Sequence, residues 1–336
     1  LTSEHLSGVE TFEFNMKLLS YLFFFAVTLI GSTTLFAVST PEVPLVSATP
    51  DSMPAEPSAR GSAFYHELTD DDLSNILTDP KSRISPLFHV SEELRDEVAF
   101  WFKIYAKYSV YQTLIYDKEN PSVIYKVVDT RDLFKAGKSA AGIEITQKLR
   151  VTAALSEYGK AFRSLRSNPR TKFTAGTAGA HLVQLWGQKT SKEWLQLHNN
   201  LRTQPGQRDR ILQGISIADP YIPAMESIFK KNKLPEELVR IPLVESSFIF
   251  KAKSKADAVG VWQFLERSAL EYLVVDKVNG IDERHSPIKS TYAAAKMFQR
   301  NFRIFDDYGL AIIAYNHGAR NLISIKKKYK GANLAK

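Results

Sequence analysis

The chain has 336 residues, 44% of them hydrophobic and 24% charged, an ordinary globular composition with room for one large domain or two modest ones. It contains no cysteine, which excludes disulfides, thiolate nucleophiles, Cys-ligated zinc, iron–sulfur clusters and a lipid-modified N-terminal cysteine. Lys+Arg 44 against Asp+Glu 36 gives a net charge of +8, which favours an anionic partner, whether nucleic acid, anionic lipid or cell-wall polymer.

Leu18 to Ala37 is the one long apolar run, and it ends in Ala37-Val38-Ser39, small residues of the kind found at a signal-peptide cleavage site. A signal needs a basic start, yet residues 1–15 carry Glu4, Glu10 and Glu13 and no Lys or Arg, so Met16-Lys17 reads as the true start and 1–15 as a misassigned one. Residues 16–39 are then a signal peptide or, uncleaved, a membrane anchor. Either form exports the remainder to the periplasm or cell envelope. Residues 40–62 hold five prolines among small and polar residues and read as a linker.

The chain then turns mainly helical. A helical accessory region is expected over 63–206. In it Ser91 caps a helix whose Val98, Trp101, Phe102, Tyr105 and Tyr108 recur at three- and four-residue steps, a core face. Ser122 to Val128, rich in β-branched residues, predicts a short strand. Helices follow over about Ile143 to Ser167 and Ser191 to Arg202, and Thr174 to Gly179 is a flexible turn that lacks the Gly-Lys-Ser/Thr of a phosphate loop. From Gln207 to Lys231 a helical pair is broken at Asp219-Pro220 and Ile222-Pro223. Pro235 and the acids Glu236 and Glu237 then suit the first turn of another helix.

On that helix Leu234, Leu238, Ile241 and Glu245 fall at i, i+4, i+7 and i+11, so a lone carboxylate ends an apolar stripe. A carboxyl in a leucine's place loses hydration of its charged form, and the raised pKa suits a general acid. The plain alternative is an exposed residue at a helix end frayed by Pro242. Spacing alone leaves both open. No two of the seven histidines stand at H-x-x-x-H spacing, so no metal site and no cofactor is expected.

Glu245-Ser246-Ser247-Phe248, Ala252-Lys253-Ser254, Ala258-Val259-Gly260-Val261-Trp262-Gln263-Phe264 and Ala314-Tyr315-Asn316-His317-Gly318 occur in an order and spacing that resembles the soluble lytic transglycosylase family. Leu234-Pro235-x-Glu237-Leu238, Ile281-Asp282-Glu283-Arg284 and Pro287 are closer to its membrane-bound murein transglycosylase D branch; Trp101-Phe102 and Gly214 to Tyr221 resemble that branch more weakly. The resemblance implies a lysozyme-like helical catalytic domain over 207–336 that cleaves the MurNAc-β-1,4-GlcNAc bond of peptidoglycan glycan strands without water, leaving 1,6-anhydroMurNAc ends. Glu245 would act as acid and then base. Ser254 matches a serine near the sugar, Gln263 a groove glutamine and Tyr315 a tyrosine that hydrogen-bonds the catalytic carboxyl, while Ser246 and Asn316 have support or turn roles. On the same reading Trp262 is core, His317 a solvated turn residue, Asp282 to Arg284 a surface ion pair with a cap, and Lys326-Lys327-Lys328 a solvated helix end.

Two departures favour a rival, a peptidoglycan-binding or scaffold protein that kept the fold without the activity. Asp257 stands where the family has glycine, which puts close approach of the sugar in doubt. The chain also ends at Lys336 without the family's following segment, so that either the sequence is truncated or the enzyme is a shortened form. Nucleic acid is not an expected partner, because no recognition motif accompanies the export signal.

Overall fold

The computed structural model describes residues 69–79, 85–88, 90 and 92–328, which fall into two units. One joins the described residues up to Phe102 with those from Asp209 onward, and the other is Lys103–Arg208. Residues 1–15, 16–39 and 40–62, read above as a misassigned start, a signal or anchor and a linker, lie outside the described residues, as does the expected cap Ser91. Among the described residues no helix is long and apolar enough to cross a membrane.

Helix α1 (Asp70–Thr78) opens with a capping box in which Thr69 and Asp72 satisfy each other's backbone N–H groups. Helix α2 (Arg95–Ala106) buries Val98, Phe100, Trp101, Phe102, Ile104 and Tyr105, so it is apolar nearly all round. The predicted stripe is buried as far as Tyr105; Tyr108 falls beyond the helix end and is half-buried.

Lys103–Arg208 contains more sheet than the pattern predicts. Strands β1 (Gln112–Asp117), β2 (Ile124–Asp129) and β3 (Leu201–Pro205) form an antiparallel sheet in the order β2-β1-β3. Only β2 is anticipated. The central strand β1 is buried on both faces, so it shows no alternation to read. Helix α3 (Arg131–Lys135) leads to α4 (Ala140–Ser167), capped by Ser139, whose buried side carries Ala154, Tyr158, Phe162 and Leu165. In α5 (Ala178–Trp186) the segment expected to be a loose turn supplies Thr177 as N-cap and Gly179 as a contact. A Cβ on Gly179 would stand 2.2 Å from the Phe173 ring, which explains the glycine without any phosphate. Helix α6 (Ser191–Asn200) stops two residues earlier than predicted. The Asn200 amide reaches the Asp117 carboxylate and its carbonyl accepts from the Lys118 N–H, drawing the chain into β3. Ile115, Phe162, Leu182 and Trp194 centre the core of this unit.

From α7 (Arg208–Ala218) onward the chain is helical. Helix α8 (Ile222–Lys231) follows the break at Asp219-Pro220, and Ile222-Pro223, read as a second break, forms its first turn. The helix expected from Pro235 is a 3-10 turn, Glu236–Arg240, followed by a separate helix α9 (Ile241–Ser246). Pro242 has no N–H to give to the preceding turn, so it starts α9 and does not fray it. A short helix α10 (Glu266–Ala269), a two-stranded ribbon of β4 (Val275–Asp276) and β5 (Ile281–Asp282), then α11 (Pro287–Phe305), α12 (Tyr308–His317) and α13 (Ala319–Lys328) complete the unit. Within it Trp262 lies parallel to Phe229 at 5.7 Å and Tyr315 parallel to Phe298 at 5.0 Å, aromatic pairs that join α8, α11 and α12.

Candidate active site

Glu245 sits in the last turn of α9, after the buried Leu234, Leu238 and Ile241. It keeps part of its surface accessible, but no hydrogen bond or ion pair to its carboxyl occurs among the described residues, and burial pushes its pKa up to about 8. A carboxyl in that state holds its proton near neutral pH.

The chain leaves α9 abruptly. Ser247 (φ 50°) and Phe248 (φ 59°) are both left-handed, a costly pair for residues with side chains, and the segment is held from two sides. The buried Ser246 hydroxyl lies 2.9 Å from the Val261 carbonyl and 3.1 Å from that of Pro242, tying the helix end to the loop that follows. From below, α7 presses against the Ser247 carbonyl at Gly214, where a Cβ would come within 2.6 Å of that oxygen.

The loop from Ala252 to Phe264 folds on itself through bridges Lys253–Val259 and Val259–Phe264. Ser254 is buried, and its Oγ accepts from the N–H groups of Ala256 (3.2 Å) and Ala258 (3.1 Å), so its hydroxyl shapes the turn. Asp257 takes φ 63°, the backbone a glycine would supply, and its exposed carboxylate pairs with Lys253 at 2.9 Å. That pairing holds its pKa below the usual carboxylate range. Gly260 has φ 79°, and a Cβ there would lie 1.9 Å from the Arg284 carbonyl, so no other residue fits. Gln263 donates from Nε2 to the Gly260 carbonyl at 2.8 Å.

Trp262 is fully buried, with Nε1 donating to Thr291 Oγ1 at 2.9 Å, as a core residue. The Tyr315 hydroxyl donates to the Trp262 carbonyl, not to the Glu245 carboxyl that the resemblance implies. One proton serves one acceptor, and the buried carbonyl takes it. Tyr315 is nevertheless close enough to Glu245 to feel its charge: burial first, then that charge, raises the phenol well above its ordinary pKa. Asn316 is exposed, with no described hydrogen bond to the other predicted residues. His317 ends α12 half-buried, and burial lowers its pKa.

Arg284 corrects the surface ion-pair reading. It is buried, grips Asp282 through Nε (2.9 Å) and Nη2 (2.7 Å), and donates from Nη1 to the Phe264 carbonyl at 3.3 Å. The Phe264 carbonyl, which also accepts from the Val259 N–H at 3.0 Å, takes Arg284 as a second, charged donor, which ties the end of the loop to the Arg284–Asp282 pair. Neither this role nor that of Gly214 is read from the sequence; an isolated glycine within the helical pattern of α7 is the signal that could have exposed the second.

The structure thus brings together Glu245, Ser246, Tyr315 and the loop containing Ser254 and Gln263, and leaves Asn316 outside. Residues 223–336, which contain Glu245 and this loop, match the model of the Transglycosylase SLT domain. The chain is 36% identical over 114 residues to membrane-bound lytic murein transglycosylase D of Escherichia coli strain K12, covering 34% of this chain and 25% of that protein. Over 116 residues it is 35% identical to the putative tributyltin chloride resistance protein of Alteromonas sp. strain M-1, covering 33% of this chain and 56% of that protein. The match spans about a quarter of the length of the first of these relatives. No solved structure gives a significant match.

Proposed function

We propose that this chain is a peptidoglycan lytic transglycosylase of the cell envelope, with Glu245 as its single acid and base. The observation that carries the reading is the Glu245 carboxyl, which has no partner among the described residues and whose pKa burial raises to about 8, within residues that match the transglycosylase SLT domain. Protonated Glu245 gives its proton to the oxygen of the MurNAc-β-1,4-GlcNAc bond; the bond from that oxygen to the muramic C1 breaks and GlcNAc leaves with a free hydroxyl. The resulting carboxylate takes the proton from the muramic C6 hydroxyl, whose oxygen closes on C1. One proton is given and one recovered, no water is consumed, and a 1,6-anhydro ring results. Glycosidases with two carboxylates need the second to activate water or attack the sugar. Here the substrate supplies its own nucleophile.

Ser246 fixes the end of α9, and Tyr315 fixes the Trp262 carbonyl beside it, so both position Glu245. Ser254 and Gln263 shape the loop that faces the glycan. The rival reading, a wall-binding protein without activity, rests in part on Asp257. Its left-handed backbone and its ion pair with Lys253 support glycine mimicry without distortion of the loop, which favours the enzyme.

The test is digestion of intact sacculi by the full chain and by the Glu245→Gln variant, with mass spectrometry of the soluble products. The parent should release muropeptides with anhydro ends. The variant should bind sacculi as well as the parent and release at least a thousandfold less. Binding without release by the parent would establish the rival.

A further inference from the structure

The net charge of the chain is concentrated in one unit. Lys103–Arg208 holds 18 Lys and Arg against seven Asp and Glu, a net of +11, while the whole chain carries +8, so everything else together is slightly acidic. Most of the acids in this unit are already engaged: Asp129 with Arg131, Asp132 with Arg150, Glu144 with Lys148 and Glu157 with Lys126. Lys160, Arg163 and Arg166, by contrast, are exposed and have no acidic partner among the described residues. All three are on α4. The two arginines are close enough to His198 of α6 to help hold its pKa down, after burial, so like charges accumulate there without relief.

The same helix exposes large aliphatic side chains. Ile145 and Leu149 are 60% and 65% accessible. At about 100° per residue, Ile145, Lys148, Leu149, Lys160, Arg163 and Arg166 lie within about 60° of one line along the helix, opposite the buried Ala154, Tyr158, Phe162 and Leu165. No acidic residue falls within that sector. A 28-residue helix is about 42 Å long, so the face is a stripe, aliphatic at one end and cationic at the other.

We propose that this face of α4 is a docking surface for an anionic phospholipid bilayer, with Ile145 and Leu149 entering the acyl boundary and Lys160, Arg163 and Arg166 meeting lipid phosphates. Charge complementarity alone fits any polyanion. The aliphatic end decides among them, because two exposed large side chains gain nothing from a hydrated glycan or a nucleic-acid backbone but are buried by a bilayer interface. The surface belongs to the other unit from the one that holds Glu245, and the proposal does not depend on the chemistry of Glu245.

The test uses the full chain and co-sedimentation with two sets of vesicles, phosphatidylcholine alone and phosphatidylcholine with about a third phosphatidylglycerol. Insertion of the apolar Leu18 to Ala37 run would add equally to both, so the ratio of the two partition coefficients isolates the charged surface. The parent should prefer anionic vesicles at least tenfold. Because each basic residue at such a surface contributes about fivefold, the pair Arg163→Gln and Arg166→Gln should lower that ratio at least tenfold. The pair Ile145→Ser and Leu149→Ser should weaken partition onto anionic vesicles about tenfold; all four sites are exposed, and circular dichroism melting checks that folding is unchanged. Equal partition of the parent onto both vesicles overturns the proposal. So does soluble polyphosphate or duplex DNA binding that depends on the arginines but not on the aliphatic pair, which would assign the face to a polyanion.

Discussion

Burial of Glu245 links its proton to both rate and stability. Its folded-state pKa is raised from 4.5 to about 8, so the neutral form is the one the fold prefers. The stability this preference gives is fully present below about pH 4.5 and is lost as pH rises through about 8, because the unfolded chain ionises first. The Glu245→Gln protein lacks that loss. Measured by denaturant unfolding, the parent should fall relative to the variant by about 2 kcal/mol between about pH 5 and 8, below the full value of the shift because Glu245 keeps some exposure. Parallel curves would show an ordinary solvated carboxyl. The rate should hold through neutral pH and decline above about pH 8, since the acid must carry its proton. Tyr315→Phe removes the donor to the Trp262 carbonyl and should cost about 1–3 kcal/mol of stability and about tenfold to a thousandfold in rate. An unaltered rate with lowered stability would make Tyr315 a core residue alone. The sequence shows Glu245 as the end of an apolar stripe but hides the partner of Tyr315, because which nearby acceptor receives one proton depends on positions no spacing encodes.

At the scale of elements, the site depends on how closely backbones approach. Helix α7 touches the residue after α9 only because Gly214 has no side chain, and the Ser247 carbonyl it meets cannot swing aside like a flexible side chain. Gly214→Ala should therefore cost about 1–3 kcal/mol by overpacking, and should lower kcat more than KM because the displacement reaches Glu245 through Ser247. A variant with full rate and full stability would mean that α7 does not support the site. The proline-marked helices α7 and α8 and the long α4 are legible because periodicity and caps agree along many residues. What escapes is short or doubly buried. β1 has no alternation, β3 begins where Asn200 is captured by β1, and the stretch before Glu245 reads as one helix although Pro242 forces a restart. Arg284 escapes for a similar reason: its sequence neighbours Asp282 and Glu283 suggest a surface, and only the folded loop shows the Phe264 carbonyl it reaches.

At the scale of the molecule, the two units divide the chemistry. The helical unit holds a neutral carboxyl in an apolar setting, and Lys103–Arg208 carries the positive charge that the composition shows only as an average. Asp257 takes a left-handed backbone of the kind glycine adopts most readily, and its carboxylate is paired with Lys253. In the proposed reaction one carboxyl acts twice and water takes no part. Digestion of sacculi in heavy-oxygen water tests it most directly, with the label read in each new muramic end by mass spectrometry. Anhydro ends without label are expected from the parent and none from Glu245→Gln; reducing ends that carry the label would show hydrolysis and rule the proposed reaction out.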